Sequence, residues 1–320
     1  MPAPVSQARP ATETALSISD VERDTGLPKD TLRVWERRYG FPHPVRDAFG
    51  ERLYPAEQVE RLRLITRLLN QGHRPGRVVP LALADLQGLV HDGLPAPSQA
   101  SAGDPELQTC LELVKRHAIT ELRRALHQSA LRLGLARFVI DVLGPLNTLV
   151  GEAWVRGQIQ VFEEHLYTES VTAVLRGAIG GMGSAPVPAW PRVLMTTFPQ
   201  EQHGLGLLMA ETLLALAGCD CVSLGVQTPV PEIVQAARAN QAHIVALSFS
   251  TSMPGNQVLR GLRELRATLA PEIGIWAGGS HPALARLDLQ GVTPMPRLDD
   301  IEPVLTLWRA TRPAPAATDR

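Results

Sequence analysis

The sequence predicts a multidomain protein built from a winged helix-turn-helix head, a four-helix bundle and a doubly wound α/β (Rossmann-like) domain. Three observations predict this fold class. Two short helices joined by a glycine-containing turn lie near the start, helical periodicity fills the centre, and strands alternate with helices in the last third. With 320 residues, 44% of them hydrophobic, the chain is long enough for about two or three domains.

Composition argues against a strongly basic chain, a disulfide-rich protein and a membrane protein. The formal net charge is -1, so the whole chain has no excess of positive charge. Its three cysteines, Cys110, Cys219 and Cys221, form neither a disulfide framework nor a zinc-binding spacing. We identify no signal peptide, and no uninterrupted apolar run approaches the roughly 18 residues that a membrane helix needs. The composition therefore predicts a cytoplasmic protein with no membrane partner.

The first elements of the chain predict a DNA-binding head over residues 16–90. Residues 1–15 are rich in Pro, Ala, Ser and Thr and are predicted to be a disordered leader. The run Ser17-Ile18-Ser19-Asp20-Val21 offers capping residues for a first helix, Gly26-Leu27-Pro28 forces a turn, and a second helix is predicted over residues 29–39. Residues 40–54 suit a small β wing, and residues 55–71 a long helix.

This head is locally basic. Residues 31–77 contain ten arginines against five acidic side chains. The candidate DNA contacts are Arg33, Arg37, Arg38 and Tyr39 on the second helix, with Arg46 and Arg52 on the wing. These cations could instead form a solvated charged surface, but the helix-turn-helix pattern around them favours DNA.

Two short motifs give the head a family resemblance. The run Leu32-Arg33-x-Trp35-Glu36 and the wing end Arg52-Leu53-Tyr54 resemble the DNA-binding domain of the MerR family of transcription regulators. The resemblance implies that the second helix enters the major groove and that the wing touches the flanking backbone. It also implies a homo-oligomer that places two heads on a pseudopalindromic double-stranded DNA operator.

The rest of the chain is predicted to form two domains and their connections. Residues 91–105 are predicted to be a linker, residues 106–182 a helical bundle, residues 181–191 a second linker, and residues 313–320 a tail. Within residues 191–312, strands are predicted at 193–197, 221–225, 243–248 and 274–277. Helices are predicted between them at 205–217, 231–239 and 257–269.

Polar and glycine residues follow three of these strands and predict a ligand crevice at one edge of the sheet. Glu201, His203 and Gly206 follow the first strand, Ser248 and Ser250 end the third, and Gly278-Gly279 follows the last. From the residues alone, His203 could be a metal ligand, a proton carrier or a helix-start residue. The G-x-G-x-x-G run of dinucleotide folds does not occur.

The spacing of these residues gives a second resemblance. Glu201-x-His203-x-x-Gly206, 41 residues, Ser248-x-Ser250, 27 residues and Gly278-Gly279 resemble the D-x-H-x-x-G, S-x-L and G-G signature of cobalamin-binding modules. The resemblance implies that His203 is the lower axial cobalt ligand, that the acidic residue hydrogen-bonds it, and that the nucleotide tail of cobalamin passes the serines and glycines. Glu201 replaces the usual Asp, and Ser250 replaces Leu.

A third motif lies in the bundle. Trp154, nine residues and Glu164-His165 resemble the W-x9-E-H motif of cobalamin-dependent MerR regulators of the CarH and LitR type. Without the family, Trp154 is interpreted as a core residue and Glu164-His165 as a surface pair. The resemblance implies that Trp154 covers the upper face of the corrin and that Glu164 and His165 contact an adenosyl group. Val155 stands where light-sensing members have His, so their bis-histidine adduct is not expected.

The sequence therefore predicts a non-enzymatic, cobalamin-binding, DNA-binding repressor. We expect adenosylcobalamin, with light as the favoured signal and cobalamin abundance as the second, to control assembly into a dimer or tetramer. Two alternatives remain open. One is a corrinoid-carrying methyl-transfer module, and the other is a cofactor-free MerR-like regulator that acts through protein partners.

Overall fold

The computed structural model describes residues 15–47, 49–70, 73–92, 104–183, 189–251 and 253–312. The predicted leader except Ala15, most of the first predicted linker, residues 184–188 of the second and the predicted tail lie outside these residues. The chain divides into two compact units, residues 1–95 and 96–320, which are described separately.

The first unit begins with a helix-turn-helix and a small sheet. Its elements are β1 (Leu16–Ser17), α1 (Ile18–Thr25), α2 (Lys29–Tyr39), β2 (Val45–Arg46) and β3 (Arg52–Tyr54), and the strands pair antiparallel in the order β1-β3-β2. Ser17 and Asp20 form a capping box on α1, and Gly26 ends that helix at a φ of 70°. The left-handed φ explains why the predicted turn contains glycine.

Three further helices complete this unit: α3 (Ala56–Asn70), α4 (Pro75–Val78) and α5 (Leu83–Asp92). Leu32 and Trp35 of α2 are buried with Leu62 and Ile65 of α3, as their spacing predicts. The sequence did not predict β1, α4 or α5. The predicted linker at 91–105 is too long at both ends, because α5 extends to residue 92 and the next helix begins at residue 105.

The second unit begins with four helices, α6 (Pro105–Lys115), α7 (Ile119–Leu133), α8 (Leu135–Val155) and α9 (Val161–Gly180). A π-helical segment, Phe138–Leu143, interrupts α8. By length and composition alone α8 could cross a membrane. In the structure, however, Phe138, Leu143 and Leu146 on this helix are fully buried in the bundle core.

A parallel sheet follows, with the strands β4 (Arg192–Thr196), β5 (Asp220–Ser223), β6 (Ile244–Ser248), β7 (Gly274–Gly278) and β8 (Val292–Met295). The spatial order is β5-β4-β6-β7-β8. The helices are α10 (Leu205–Leu216), α11 (Val230–Ala239), α12 (Gly255–Thr268) and α13 (Ile301–Thr311). The sequence did not predict β8 and α13. The chain runs from β4 to β5 on one side and then returns to β6 on the other side, which creates a topological switch point between β4 and β6.

The bundle and the sheet share one apolar core. Val193 and Met195 of β4 face α10 and the bundle, whereas Leu194 between them faces the layer of α11 and α12. Two polar contacts join the bundle to α10. Arg176 of α9 forms an ion pair with the buried carboxylate of Glu211, and Asn147 Nδ2 lies 3.0 Å from the Sδ atom of Met209. The bundle is therefore held directly against the helix that follows His203.

Candidate functional site

The crevice at the switch point is organised by one buried carboxylate. Glu201 is 1% exposed, and its Oε1 atom accepts the backbone N–H of His203 at 3.1 Å and lies 2.7 Å from His203 Nδ1. Its Oε2 atom accepts the backbone N–H and the hydroxyl of Ser250, each at 2.8 Å. Glu201 thus ties the loop after β4 to the loop after β6.

This network sets the charge and orientation of the imidazole. Burial raises the pKa of Glu201, but hydrogen bonds from His203 and Ser250 outweigh it, so the net pKa is lowered. Burial lowers the pKa of His203, but the hydrogen bond and charge of Glu201 raise it overall. Because the carboxylate accepts from Nδ1, that nitrogen carries the proton. Within the described part of the chain no hydrogen bond to Nε2 is found, so Nε2 is available to a ligand.

An apolar ledge lies beside the imidazole. Leu224 and Val226, in the loop after β5, are 36% and 39% exposed. The loop is fixed because Thr197 accepts the N–H groups of Gln227 at 2.8 Å and Thr228 at 3.0 Å. A Cβ atom on Gly204 would lie 3.0 Å from Val226, so the ledge borders the His203 loop closely. Such a surface suits a flat, largely apolar macrocycle.

Glycines allow close packing of the chain on the other side of β4. A Cβ atom on Gly206 would lie 3.4 Å from Ser248 Oγ, and one on Gly278 would lie 3.4 Å from the Met295 carbonyl oxygen. Gly279 has a φ of +108°, and a Cβ atom there would lie 2.2 Å from the Phe249 carbonyl oxygen. Ser248 and Gly278 are register partners in β6 and β7. The structure therefore places the predicted crevice residues at one edge, where neighbouring atoms leave little room for added side chains.

Trp154, Glu164 and His165 lie on two bundle helices. The indole of Trp154 is partly buried against the bundle core, near the end of α8. Glu164 in the first turn of α9 accepts the Thr168 hydroxyl at 2.8 Å, and exposed His165 has its Nε2 atom 3.8 Å from Glu164 Oε2. The charge of Glu164 contributes to the raised pKa of His203, so this turn lies within electrostatic range of the crevice.

Three structural details were not predicted from the sequence: the hydrogen bonds of Ser250, the exposure of Leu224 and the exposure of Phe162. The crevice residue Ser250 matched only a pattern position, yet it donates two hydrogen bonds to Glu201. Leu224 was predicted to lie inside a strand, but β5 ends at Ser223 and leaves the side chain on the exposed loop. Phe162, next to Glu163 and Glu164, is 51% exposed and packs near the ring of His117. The sequence signal that could have indicated an exposed Phe162 is its position directly before two charged residues, Glu163 and Glu164.

A single imidazole is a weak site for a free metal ion. Across the described ranges no group of three or more His, Cys, Asp and Glu side chains could hold one. A lone imidazole fits a metal whose other ligands come from a macrocycle, because only an axial position then remains for the protein.

The predicted DNA-contact residues of the head fall into two groups. Arg33 pairs with Asp30 at 3.0 Å, Arg52 Nε pairs with Glu36 Oε2 at 3.0 Å, and Arg46 donates to the Gly50 carbonyl oxygen at 2.7 Å. These three arginines have partners inside the protein, and Arg52 attaches the wing to α2. Arg37 is exposed and has no ion pair among the described residues, while Arg38 lies over the Tyr39 ring with 5.3 Å between the guanidinium carbon and the centroid. Arg37 and Arg38 are therefore the cations of α2 with the fewest internal partners.

Three family models match successive parts of the chain. Residues 16–81 match the MerR HTH family regulatory protein model, and residues 107–176 and 191–295 match two models of a B12 binding domain. The chain is 27% identical over 266 residues to the HTH-type transcriptional repressor CarH of Myxococcus xanthus, covering 81% of this chain and 88% of the relative. It is 28% identical over 261 residues to CarA of the same organism, covering 80% and 84%.

Solved structures also resemble the chain. The monomethylamine corrinoid protein of Methanosarcina barkeri matches with a TM-score of 0.48 and 16% identity over 62% of this chain and 96% of that one. The methanol:cobalamin methyltransferase complex of the same organism matches with a TM-score of 0.32 and 13% identity over 72% and 93%.

The fold and the sequence matches define a class: a multidomain protein with a MerR-type helix-turn-helix head followed by B12-binding domains. This organisation fits a cobalamin-binding, DNA-binding regulator. Within that class, the chain is homologous to the transcriptional repressors CarH and CarA over about four fifths of its length. The predicted fold class and family resemblance are thus confirmed.

Proposed function

We propose that this protein is a cytoplasmic, non-enzymatic repressor that binds adenosylcobalamin through His203 and binds a double-stranded DNA operator through α2 and the wing. One observation carries the proposal. The buried Glu201 carboxylate holds Nδ1 of the imidazole at 2.7 Å and leaves Nε2 free at the switch point of the sheet. This is the arrangement that an axial imidazole ligand needs, because the second nitrogen fixes the tautomer and the ring orientation.

Each crevice residue has a distinct part in this proposal. A bound corrinoid would supply a cobalt ion with one axial position for His203 and one for an upper ligand. Leu224 and Val226 support the lower face of the macrocycle with apolar contacts. Gly206, Ser248, Ser250, Gly278 and Gly279 are assigned to the path of the nucleotide tail, since they lie at or after the ends of β4, β6 and β7 at one edge of the sheet.

The bundle is assigned to the upper face. Trp154 covers the corrin, and Glu164 and His165 contact the adenosyl group or its surroundings. The effect of Glu164 on the pKa of His203 supports this placement, because it requires the α9 turn to lie near the crevice. Val155 ends α8 at the position where light-sensing relatives have a histidine, so His203 pairs with no second imidazole from that position.

Regulation follows from assembly. A single head touches few base edges, so two or four linked heads bind an operator much more tightly than one. The cofactor controls repression if it binds the assembled and separated protomers with different affinity. We propose that adenosylcobalamin favours the homo-oligomeric, DNA-binding form and that light is its signal.

Absorption spectroscopy and gel filtration in the dark test the cofactor site. Purified full-length protein incubated with adenosylcobalamin should retain the corrinoid, whereas His203→Ala should lose it. His127→Ala is the matched control, because His127 is exposed on α7. If neither the parent protein nor His127→Ala retains the corrinoid, the cobalamin assignment is refuted. A dark and illuminated pair of gel-filtration runs with cofactor then tests the light response.

A mobility-shift titration tests the DNA role. With duplex DNA from the upstream intergenic region, binding should weaken as salt rises and should be stronger with adenosylcobalamin. Absence of any shift, together with retained corrinoid, would favour a corrinoid-carrying methyl-transfer module. A shift that is identical with and without cofactor would favour regulation through protein partners.

A further inference from the structure

A second buried carboxylate in the structure also holds an imidazole. Among the described residues of the second unit, the buried carboxylates are Glu163, Glu201 and Glu211. Glu201 holds the crevice imidazole, and Glu211 pairs with Arg176. Glu163 pairs with a different imidazole, because its Oε1 atom lies 2.8 Å from His117 Nε2. A buried carboxylate is unfavourable unless its oxygens are paired, so each of these contacts fixes the segments that it joins.

His117 occupies an unusual backbone position at the end of α6. Its N–H bonds to the Val114 carbonyl oxygen at 3.0 Å, and the N–H of Ala118 bonds to the Leu113 carbonyl oxygen at 2.9 Å, which ends the helix in a Schellman motif. The left-handed residue of this motif is usually glycine, but here it is His117, with a φ of 56°. A strained position that keeps its side chain indicates that the imidazole itself has a role.

The partner of this ring organises the start of α9. Glu163 Oε2 accepts the backbone N–H of Gln160 at 2.6 Å, as in a capping box. Capping uses only one carboxylate oxygen, so the bond from His117 to the other oxygen is not needed to begin the helix. It instead ties the first turn of α9 to the connection between α6 and α7. Phe162 strengthens the tie, because its ring centroid lies 5.2 Å from that of His117.

The same helical turn carries the residues assigned to the upper ligand. Glu164 and His165 follow Glu163 directly, and successive side chains of a helix point in directions about 100° apart. Glu163 is buried, Glu164 is half-buried and His165 is exposed. One side of the turn is thus fixed to the bundle while the other side presents the two candidate contacts. A displacement of this turn would move both contacts together.

We propose that His117 is a positioning residue for recognition of the adenosyl group: through Glu163 it fixes the first turn of α9, and with it Glu164 and His165. The inference rests on the proposed adenosylcobalamin site. His203 is held by Glu201 on a different loop, so the axial ligand does not depend on this contact. Loss of the His117 ring should therefore weaken binding of a cobalamin with a large upper ligand more than binding of one with a small upper ligand.

Equilibrium dialysis of the full-length protein in the dark, with adenosylcobalamin and methylcobalamin in parallel, tests the inference. His117→Gly removes the ring and suits the left-handed φ, so it should lower affinity for adenosylcobalamin by about tenfold relative to methylcobalamin. His117→Gln should keep the parent ratio, because its amide N–H can reach Glu163 Oε1. His117→Asn should behave like His117→Gly, since asparagine tolerates this φ but its amide is one methylene shorter.

The matched control is Gln241→Gly. Helix α11 ends in the same motif, with the N–H of Gln241 bonded to the Arg238 carbonyl oxygen at 3.1 Å and that of Ala242 to the Ala237 carbonyl oxygen at 2.9 Å. Gln241 is the left-handed residue, with a φ of 51°, and its side chain is exposed. It precedes β6 and so lies at the sheet edge opposite the crevice. Gln241→Gly makes the same backbone change and should leave both affinities unchanged.

A positioning role also predicts that the effect disappears when the positioned side chains are removed. In a protein that already carries Glu164→Ala and His165→Ala, adding His117→Gly should not change the ratio of the two affinities further. An undiminished tenfold loss in that background would show that His117 acts on the cofactor by another route and would overturn the inference.

The remaining outcomes separate this inference from the proposed function. An unchanged ratio in His117→Gly and His117→Asn, an equal loss of both corrinoids, or a loss that His117→Gln shares would overturn the inference and leave the cofactor site standing. The same loss in Gln241→Gly would also overturn it. If the parent protein binds neither corrinoid, the proposed function itself fails. Melting temperatures show which variants are folded, and His117→Asn carries the test if His117→Gly unfolds.

Discussion

The two faces assigned to the corrin differ in how tightly their side chains are held. On the lower face, both oxygens of the buried Glu201 carboxylate accept hydrogen bonds, and these bonds fix His203 and Ser250. On the upper face, His165 is 61% exposed and its contact with Glu164 is 3.8 Å long. The lower face is therefore organised before any ligand arrives, whereas His165 on the upper face is exposed and can change partners.

This contrast suggests a division of labour. In the proposed function, the preorganised imidazole of His203 retains the cofactor, since little conformational freedom is lost when it binds. The upper face can respond to the identity of the upper ligand through His165, because that imidazole is exposed and has only a long contact with Glu164. The following predictions test this contrast in order of decreasing expected effect.

The largest loss should follow His203→Ala. Removing the proposed axial ligand should lower cobalamin affinity by on the order of 100-fold or more, because changes to the groups around a ligand already cost about 10- to 100-fold. Equilibrium dialysis with adenosylcobalamin gives the affinity, and His127→Ala is the control. An affinity within a few-fold of the parent would show that the crevice does not use His203.

The next largest loss should follow Glu201→Gln. The carboxylate accepts four hydrogen bonds on its two oxygens, whereas an amide has only one acceptor oxygen. We expect cobalamin affinity to fall by about 10- to 100-fold, since the group that orients the imidazole is impaired. Glu232→Gln, on the exposed side of α11, provides the matched control. If only the melting temperature falls, Glu201 supports the loop without orienting the ligand.

Gly279→Ala tests whether the crevice backbone is as constrained as its polar groups. The φ of +108° and the approach of 2.2 Å to the Phe249 carbonyl oxygen both oppose a Cβ atom. We expect the free energy of unfolding to fall by about 1–3 kcal/mol in urea denaturation. Gly177→Ala, in helix α9 with nothing within 4 Å of the added atom, should instead be neutral or stabilising. Equal effects of the two substitutions would contradict the close packing at Gly279.

The smallest effect should come from the upper face. Trp154→Ala should lower affinity for adenosylcobalamin by about tenfold, or about 1.4 kcal/mol, because one apolar contact is lost while the axial ligand remains. Affinity for cobalamin with a small upper ligand should fall less. A loss equal to that of His203→Ala would abolish the distinction between the two faces, and equal losses for both cofactors would remove the role of Trp154 in recognising the upper ligand.

The sequence predicted the parts of the fold that have strong local patterns. The turn at Gly26, helix α2 and the alternation of strands and helices after residue 191 agree with the structure because periodicity and turn chemistry specify them locally. It missed β1, which has two residues, and β8, which contains Pro294 and pairs with one neighbour only. Such short edge elements depend on pairing partners that are distant in the chain.

The same limit applied to the site residues. The spacing placed Glu201 next to His203, but the bonds from Ser250 to Glu201 join residues 49 apart and become visible only in the folded sheet. The same limit applied to the arginines of the head. Composition could not separate Arg52, which pairs with Glu36 16 residues away, from Arg37, which is exposed. Which cations are available to a partner depends on tertiary contacts.

The parallel order of the sheet, β5-β4-β6-β7-β8, has a thermodynamic consequence. His203, Ser250 and Gly279 come from three strand ends that meet only when the sheet forms, so an unfolded chain contains no cofactor site. Thermodynamic linkage then makes the cofactor a stabiliser of the native state, by about 2.7 kcal/mol at a free concentration 100 times the dissociation constant. Cellular supply of the vitamin would thereby set the resistance of this protein to proteolysis, independently of any operator.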